Sequence, residues 1–207
     1  MKTPAPSLLG FAVLGLLAAC NIGAPAQDDP TRYYLLSDTA ALSTTASTSP
    51  TGARIGLHAI VIEGYLKKRE MVVRTGANEV DFKDYRRWAE PLETAVSRVL
   101  RASIVTAPGV ANVASEPFPI DQDRDYDVAV EVRHCEGLVS PGGDSASFAA
   151  TFEIWTAGNT PRLVARRTFV APAAAWDGSD YDRLASLLSA DVSALGQEIA
   201  ATLPPRG

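Results

Sequence analysis

Two histidines and two cysteines are all the imidazole and thiol this 207-residue chain carries, so their spacing limits the catalytic chemistry open to it. His58 and His134 lie far apart, and no carboxylate or cysteine sits at ligand spacing around either, so no metal site is expected. His134 beside Cys135 resembles a base next to a nucleophile. Adjacent residues of a strand point to opposite faces, however, so the two cannot meet. Cys135 falls in an apolar, strand-like segment and reads as a buried, inert thiol. Asp121, Asp123, Asp125 and Asp127 alternate in the manner of a calcium loop. Arg124 interrupts them and no glycine or distant glutamate completes the pattern, so a solvated entry to a strand is expected. No G-x-S-x-G elbow, P-loop, G-x-G-x-x-G turn or H-E-x-x-H helix occurs after the leader. The sequence therefore reads as non-enzymatic, with no catalytic residue, metal or cofactor.

The chemistry the sequence does offer is at Cys20. Lys2 precedes an apolar run at 8–17 that is too short to cross the ~30 Å hydrocarbon core of a bilayer. The run closes on Leu17, Ala18, Ala19 and Cys20. Small residues at 18 and 19 fit a peptidase pocket and the following thiol can accept diacylglycerol, a pattern that resembles the bacterial lipobox. Residues 1–19 are thus read as a cleaved signal peptide and Cys20 as a lipidated N-terminus. Each buried methylene contributes ~0.8 kcal/mol and more than one acyl chain gives stable anchoring. Asparagine rather than aspartate at position 21 points to the periplasmic face of the outer membrane. Residues 20–31, with Pro25 and Pro30, form a tether that can span roughly 35 Å. Once Cys20 is acylated, Cys135 has no partner in the chain for a disulfide.

Net charge is −5, and one unit lower once Lys2 leaves with the leader, so nucleic acid is not an expected partner. Basic residues nevertheless cluster at Lys67, Lys68 and Arg69, and again at Lys83, Arg86 and Arg87. They read either as a solvated rim or as a contact for an acidic surface or lipid headgroups. Tyr65 and Leu66 precede the first cluster. Tyr85, Arg86, Arg87 and Trp88 stand just before Pro91, where aromatic rings alternate with guanidinium groups. Two readings are open for that second segment: a staple with Trp88 packed on the sheet, or a binding rim formed by Tyr85, Arg86 and Arg87.

These candidates need elements to hold them. A first short strand is expected at 32–36, followed by a Ser/Thr/Ala-rich mobile loop at 37–53. Residues 54–62 read as one interior strand, apolar on both faces. Strands at 71–74 and 80–82 flank a tight reversal at 75–78. An amphipathic helix is expected with Pro91 at its first turn, burying Leu92, Ala95, Val96, Val99, Leu100, Ser103 and Ile104 and wetting Arg98 and Arg101. Three strands come next: Val128, Val130 and Val132 alternate with polar residues, as do Phe148, Ala150, Phe152 and Ile154, and the third covers 163–170. A last helix starts near Ser179 or Asp180, presents Tyr181, Leu184, Leu188, Val192, Leu195 and Ile199, and stops at Pro204 and Pro205. The expected fold is α+β: a mixed, largely antiparallel sheet with two main amphipathic helices packed on it, in βββα-βββα order. It forms a single domain over 32–203 with a tail at 204–207.

Taken together, the lipobox, Tyr33-Tyr34-Leu35-Leu36, the stretch around Tyr65-Leu66 between Ile60 and Arg74, and Arg87-Trp88-Ala89-Glu90-Pro91-Leu92 resemble the PqiC-like family of ABC-type transport auxiliary lipoproteins. The chain departs from the family at Glu63, Lys67 and Lys68, where a proline and an acidic-arginine pair often stand. The resemblance implies an outer-membrane lipoprotein subunit of an envelope lipid-transport system that supports membrane integrity. It further implies docking of an MCE-domain partner and a ring-like homo-oligomer. On that reading the docking residues are Tyr65, Leu66, Lys67 and Lys68, with Tyr85, Arg86, Arg87 and Trp88. Two other classes stay open. One is a stand-alone periplasmic lipoprotein binding a lipid or small molecule between helix 92–106 and the sheet, and the other is a hydrolase with an unfamiliar site.

Overall fold

Period-two valines from Val128 to Val132 require a strand with one dry face, and that strand organises the rest of the sheet. The computed structural model describes residues 28–38, 51–120 and 122–204. The leader 1–19, Cys20, the tether through residue 27, most of the 37–53 loop, Asp121 and the tail from 205 lie outside the described residues. Thr31–Gly207 make one compact unit. In chain order its strands are β1 (Arg32–Tyr34), β2 (Ala53–Leu57), β3 (Val61–Ile62), β4 (Glu70–Gly76), β5 (Glu79–Trp88), β6 (Val110–Ser115), β7 (Tyr126–Leu138), β8 (Ser145–Thr156), β9 (Leu163–Val170) and β10 (Ala174–Ala175). Helix α1 (Leu92–Val105) follows β5, helix α2 (Tyr181–Thr202) follows β10, and a 3-10 turn occupies Gly64–Lys67. The fold is α+β, with a block of strands before each helix as expected. Each block is larger than read: the first because 54–62 divides into β2 and β3, the second because it also holds β6 and the two-residue β10.

Along one side of β7 lie β2, β3 and β4 in turn, all parallel to it. Along the other side β8 runs antiparallel for the whole length of β7, with β9 antiparallel beyond. The sheet extends from β4 through antiparallel β5 to parallel β1, and from β2 to parallel β6. The longest ladders are antiparallel and the joins are parallel, so the sheet is mixed. β4 and β5 are joined by a two-residue turn at Ala77 and Asn78, since Gly76 pairs with Glu79.

The single strand read at 54–62 is two strands. Leu57 pairs with Val128 and Val61 with Glu131, so four steps on one side match three on β7. One extra residue reverses the face that follows. Leu57 is buried while Val61 is exposed, and Ile60 and Ile62 point inward instead.

Both helices cover one face. All seven residues read as the apolar stripe of α1 are buried, and so are all six named for α2. Burying such aliphatic side chains is worth about 1.5–3 kcal/mol each, ample to hold both helices down. Pro91 sits one position earlier than read, as the residue preceding the first turn, and its carbonyl accepts from Thr94 N–H at 3.0 Å. Asp180 caps α2, its Oδ1 accepting from Arg183 N–H at 3.0 Å. Where the helices cross, a Cβ at Gly196 would lie 2.7 Å from Ser103 Cβ, so only glycine permits this approach. Val96, Val99, Leu100 and Ile104 of α1 are fully buried, while an open cleft of about 690 Å³ runs along the helix, lined by Ile60, Ser97, Arg101, Val105 and Ser115.

Candidate functional site

The Tyr65-Leu66 turn is held by a carboxylate that alternation alone hides. In β7 the register shifts between Val132, opposite Ala150, and His134, opposite Ala149. Arg133 is therefore a bulge that resets the strand's facing. Cys135 and Gly137 now share the helix-covered face with Val132, whereas His134 and Glu136 project to the other face. Trp176 lies against Gly137, where a Cβ would meet its ring at 2.6 Å.

Glu136 has no exposed side-chain surface, and each of its oxygens has two partners. Arg74 Nε donates to Oε1 at 3.0 Å, and His134 Nδ1 lies 2.9 Å from the same atom. Tyr65 Oη donates to Oε2 at 2.9 Å, and the Cys135 N–H donates there at 2.9 Å. One terminal nitrogen of Arg74 donates to Tyr65 Oη at 3.2 Å, and its guanidinium carbon lies 5.6 Å from the centre of the Tyr65 ring. The Arg133 carbonyl offers Tyr65 Oη a second acceptor at 2.9 Å. A buried charge with all its lone pairs engaged is tolerable, whereas one deprived of a partner is costly. Burial, then the charge of Glu136, pushes the Tyr65 phenol well above its ordinary range. Burial opposes the charge on Arg74, but bonds to Glu136 and Tyr65 raise its pKa further.

With its atoms consumed internally, this cluster is a clamp. It fixes the 3-10 turn, plugs Leu66 (2 % exposed) into the core, and leaves Lys67, Lys68 and Arg69 in water. Glu136 and Arg74 were not among the sequence candidates. The available signal was an acidic residue inside the buried run around Cys135, and the bulge obscured it.

The second candidate segment lies within β5. Glu70 pairs with Arg87 but Met71 pairs with Lys83, so residues 84–86 bulge from β5. Trp88 is buried, its backbone N–H donating to the Arg69 carbonyl at 2.8 Å. Arg87 reaches Glu70 at 3.5 Å and donates from Nε to the Asp84 carbonyl at 3.0 Å. Arg86 lies over the Tyr181 ring at 5.7 Å, and Tyr85 is more than half exposed. The structure thus brings the Trp88 end of β5 against Arg69, which follows the 3-10 turn that carries Tyr65. Leu66 and Trp88 must be withdrawn as contact residues, since both are consumed by the core. Tyr65 is half-buried and engaged, leaving Lys67, Lys68 and Tyr85 as the exposed members and Arg86 and Arg87 as partly engaged ones.

The remaining chemistry-bearing residues are accounted for by packing. Arg54 grips Asp125 through both oxygens, at 3.2 and 2.8 Å, and reaches Asp123 at 3.1 Å. Arg124 donates to Asp127 at 2.8 Å and lies 4.0 Å from the centre of the Phe118 ring. Among the described residues no three His, Cys, Asp or Glu side chains are placed to hold a metal ion. Cys135 is buried, and burial, with the charges of Glu136 and Asp191 after it, pushes its thiol far above the range of a reactive cysteine. Asp191 on α2 has its Oδ2 buried without a hydrogen-bond partner among the described residues, and burial pushes its carboxyl up to about 6.

Comparison with known proteins places the chain in context. The family model described as "ABC-type transport auxiliary lipoprotein component" matches residues 34–200. A crystal structure of an uncharacterised protein is 20 % identical with a TM-score of 0.63, covering 83 % of this chain and 97 % of its own. A DUF330 protein from Xanthomonas campestris is 16 % identical with a TM-score of 0.61, over 74 % of this chain and 84 % of its own. At those identities the likeness concerns the fold. A search of curated proteins found no match.

Proposed function

The chain belongs to the family of ABC-type transport auxiliary lipoprotein components, and from that membership we propose that it is a non-catalytic subunit of an envelope lipid-transport system. On this reading the lipid on Cys20 anchors it at the periplasmic face of the outer membrane. It docks an MCE-domain protein, assembles with copies of itself into a ring and supports membrane integrity. The clamp on Glu136 supports the reading most directly. A turn whose tyrosine is locked by a fully bonded carboxylate presents Lys67 and Lys68 without further ordering, which lowers the entropic cost of docking.

Two measurements test it. Cys20→Ala should move the protein from the membrane to the soluble fraction of the envelope. Lys67→Glu with Lys68→Glu should leave fractionation unchanged but abolish co-purification with the MCE-domain protein. Retention on membranes by Cys20→Ala, or undiminished co-purification after charge reversal, refutes the corresponding half.

A further inference from the structure

The exposed aromatic side chains of this fold lie together. Of the large hydrophobic residues exposed among the described residues, the aromatic ones are Tyr33 (58 %), Tyr85 (55 %) and Phe82 (37 %), and Leu35 (53 %) joins them. Arg32 and Tyr33 of β1 lie beside Arg86 and Arg87 of β5, next to the 84–86 bulge that carries Tyr85. Tyr33 and Leu35 line one cleft with Arg86 and Tyr181, and Phe82 and Tyr85 line another with the same two residues. The patch is therefore continuous. It carries no excess of cations: Arg32, Lys83 and Arg86 stand among Asp81, Asp84, Asp180 and Asp182, with Lys83 bonded to Asp81.

Position along the chain identifies the occupant. β1 begins at Arg32, twelve residues after Cys20, and twelve residues reach at most ~40 Å. Among the described residues no helix is long and apolar enough to cross a membrane, so any contact of this part with lipid is made by surface side chains. Tyrosine suits the headgroup level, where its ring is covered and its hydroxyl stays wet. A tether this short supplies an effective concentration at which even a weak surface affinity suffices.

We propose that Tyr33, Leu35, Phe82 and Tyr85 form a seat by which the domain rests against the bilayer that holds its lipid anchor. The proposal rests on acylation of Cys20 for its proximity, whereas the affinity of the patch for lipid does not. The test uses the mature chain from residue 20 bearing Cys20→Ser, floated at millimolar lipid with vesicles of phosphatidylethanolamine and phosphatidylglycerol, or of phosphatidylcholine alone, a lipid excess at which a weak affinity registers although the unanchored chain is lost from cell membranes on fractionation and washing. The protein should float with both, since the patch has no excess of cations that would require an anionic lipid. Tyr33→Ser/Leu35→Ser/Tyr85→Ser should lower the bound fraction roughly tenfold, with an unchanged circular dichroism spectrum because these side chains already face water. Leu163→Ser/Val170→Ser, which changes equally exposed residues of β9, should bind as the parent does. Failure of the parent to float, binding confined to phosphatidylglycerol vesicles, or equal loss in the β9 variant each overturns the seat. Equal flotation of the triple variant and the parent overturns it too. Mass spectrometry of the N-terminus of cell-derived protein tests the acylation separately, and an unmodified terminus would leave the flotation result standing.

Discussion

Arg74→Met removes the cation opposite Glu136 while keeping an aliphatic stem beside the Tyr65 ring. In the folded protein Glu136 has no exposed side-chain surface. The substitution deletes the 3.0 Å bond to its Oε1 and the 3.2 Å bond to Tyr65 Oη. Breaking a buried ion pair from one side costs about 3–5 kcal/mol. Tyr65 and the Cys135 N–H still bond Oε2, so the low end, about 3 kcal/mol, is expected. For a chain of this size that corresponds to a Tm lower by about 6–12 °C. Urea unfolding followed by the fluorescence of Trp88, Trp155 and Trp176 measures it. Adding Glu136→Leu removes the stranded charge, so the double variant should recover at least about 1.5 kcal/mol relative to the sum of the singles. A loss under about 0.5 kcal/mol for Arg74→Met, or strict additivity in the cycle, would refute the clamp.

Three further outcomes follow from the packing. Asp191 has a carboxyl raised from 3.8 to about 6, so the folded state holds its proton more tightly than the unfolded one. Its stabilising contribution is complete below pH 3.8 and lost as pH rises through 6. Discounted for partial exposure, the penalty at neutral pH is about 1–2 kcal/mol. Asp191→Ala should therefore stabilise the protein by that much more at pH ~7.5 than at pH ~4 in parallel urea titrations. A pH-independent difference would exclude it. Gly196→Val forces a side chain into the 2.7 Å approach to Ser103 and should cost about 1–3 kcal/mol, seen as a lower urea midpoint. Cys135 should resist maleimide in native protein and react at once in denaturant, and rapid native labelling would contradict its burial.

Much of the fold could be read directly. The buried stripe of α1 was legible residue for residue and that of α2 in six of its nine positions, because 3.6-residue periodicity over fourteen and twenty-two residues outweighs local noise. The valine alternation of β7 and the aromatic-aliphatic alternation of β8 were equally clear. The candidate site was legible only in part. Tyr65 and Leu66 were marked as contacts, and Trp88 was read both as packed on the sheet and as a contact; the core takes Leu66 and Trp88 and half-buries Tyr65. Segments such as β3 and β10 are two residues long and carry no period at all.

What the sequence determined alone is whatever depends on local spacing: helices with one dry side, strands with one dry face, a thiol at the end of an apolar run, and the absence of known catalytic signatures. What only the tertiary structure decided is which faces survive register shifts. One extra residue before Val61 and one at Arg133 each reverse every side chain downstream, because the strand period is two. Those reversals expose Val61, send Glu136 to meet Arg74 and Tyr65 across 62 and 71 residues of chain, and turn Cys135 inward. No local pattern encodes them, since a bulge is selected by partners on other strands.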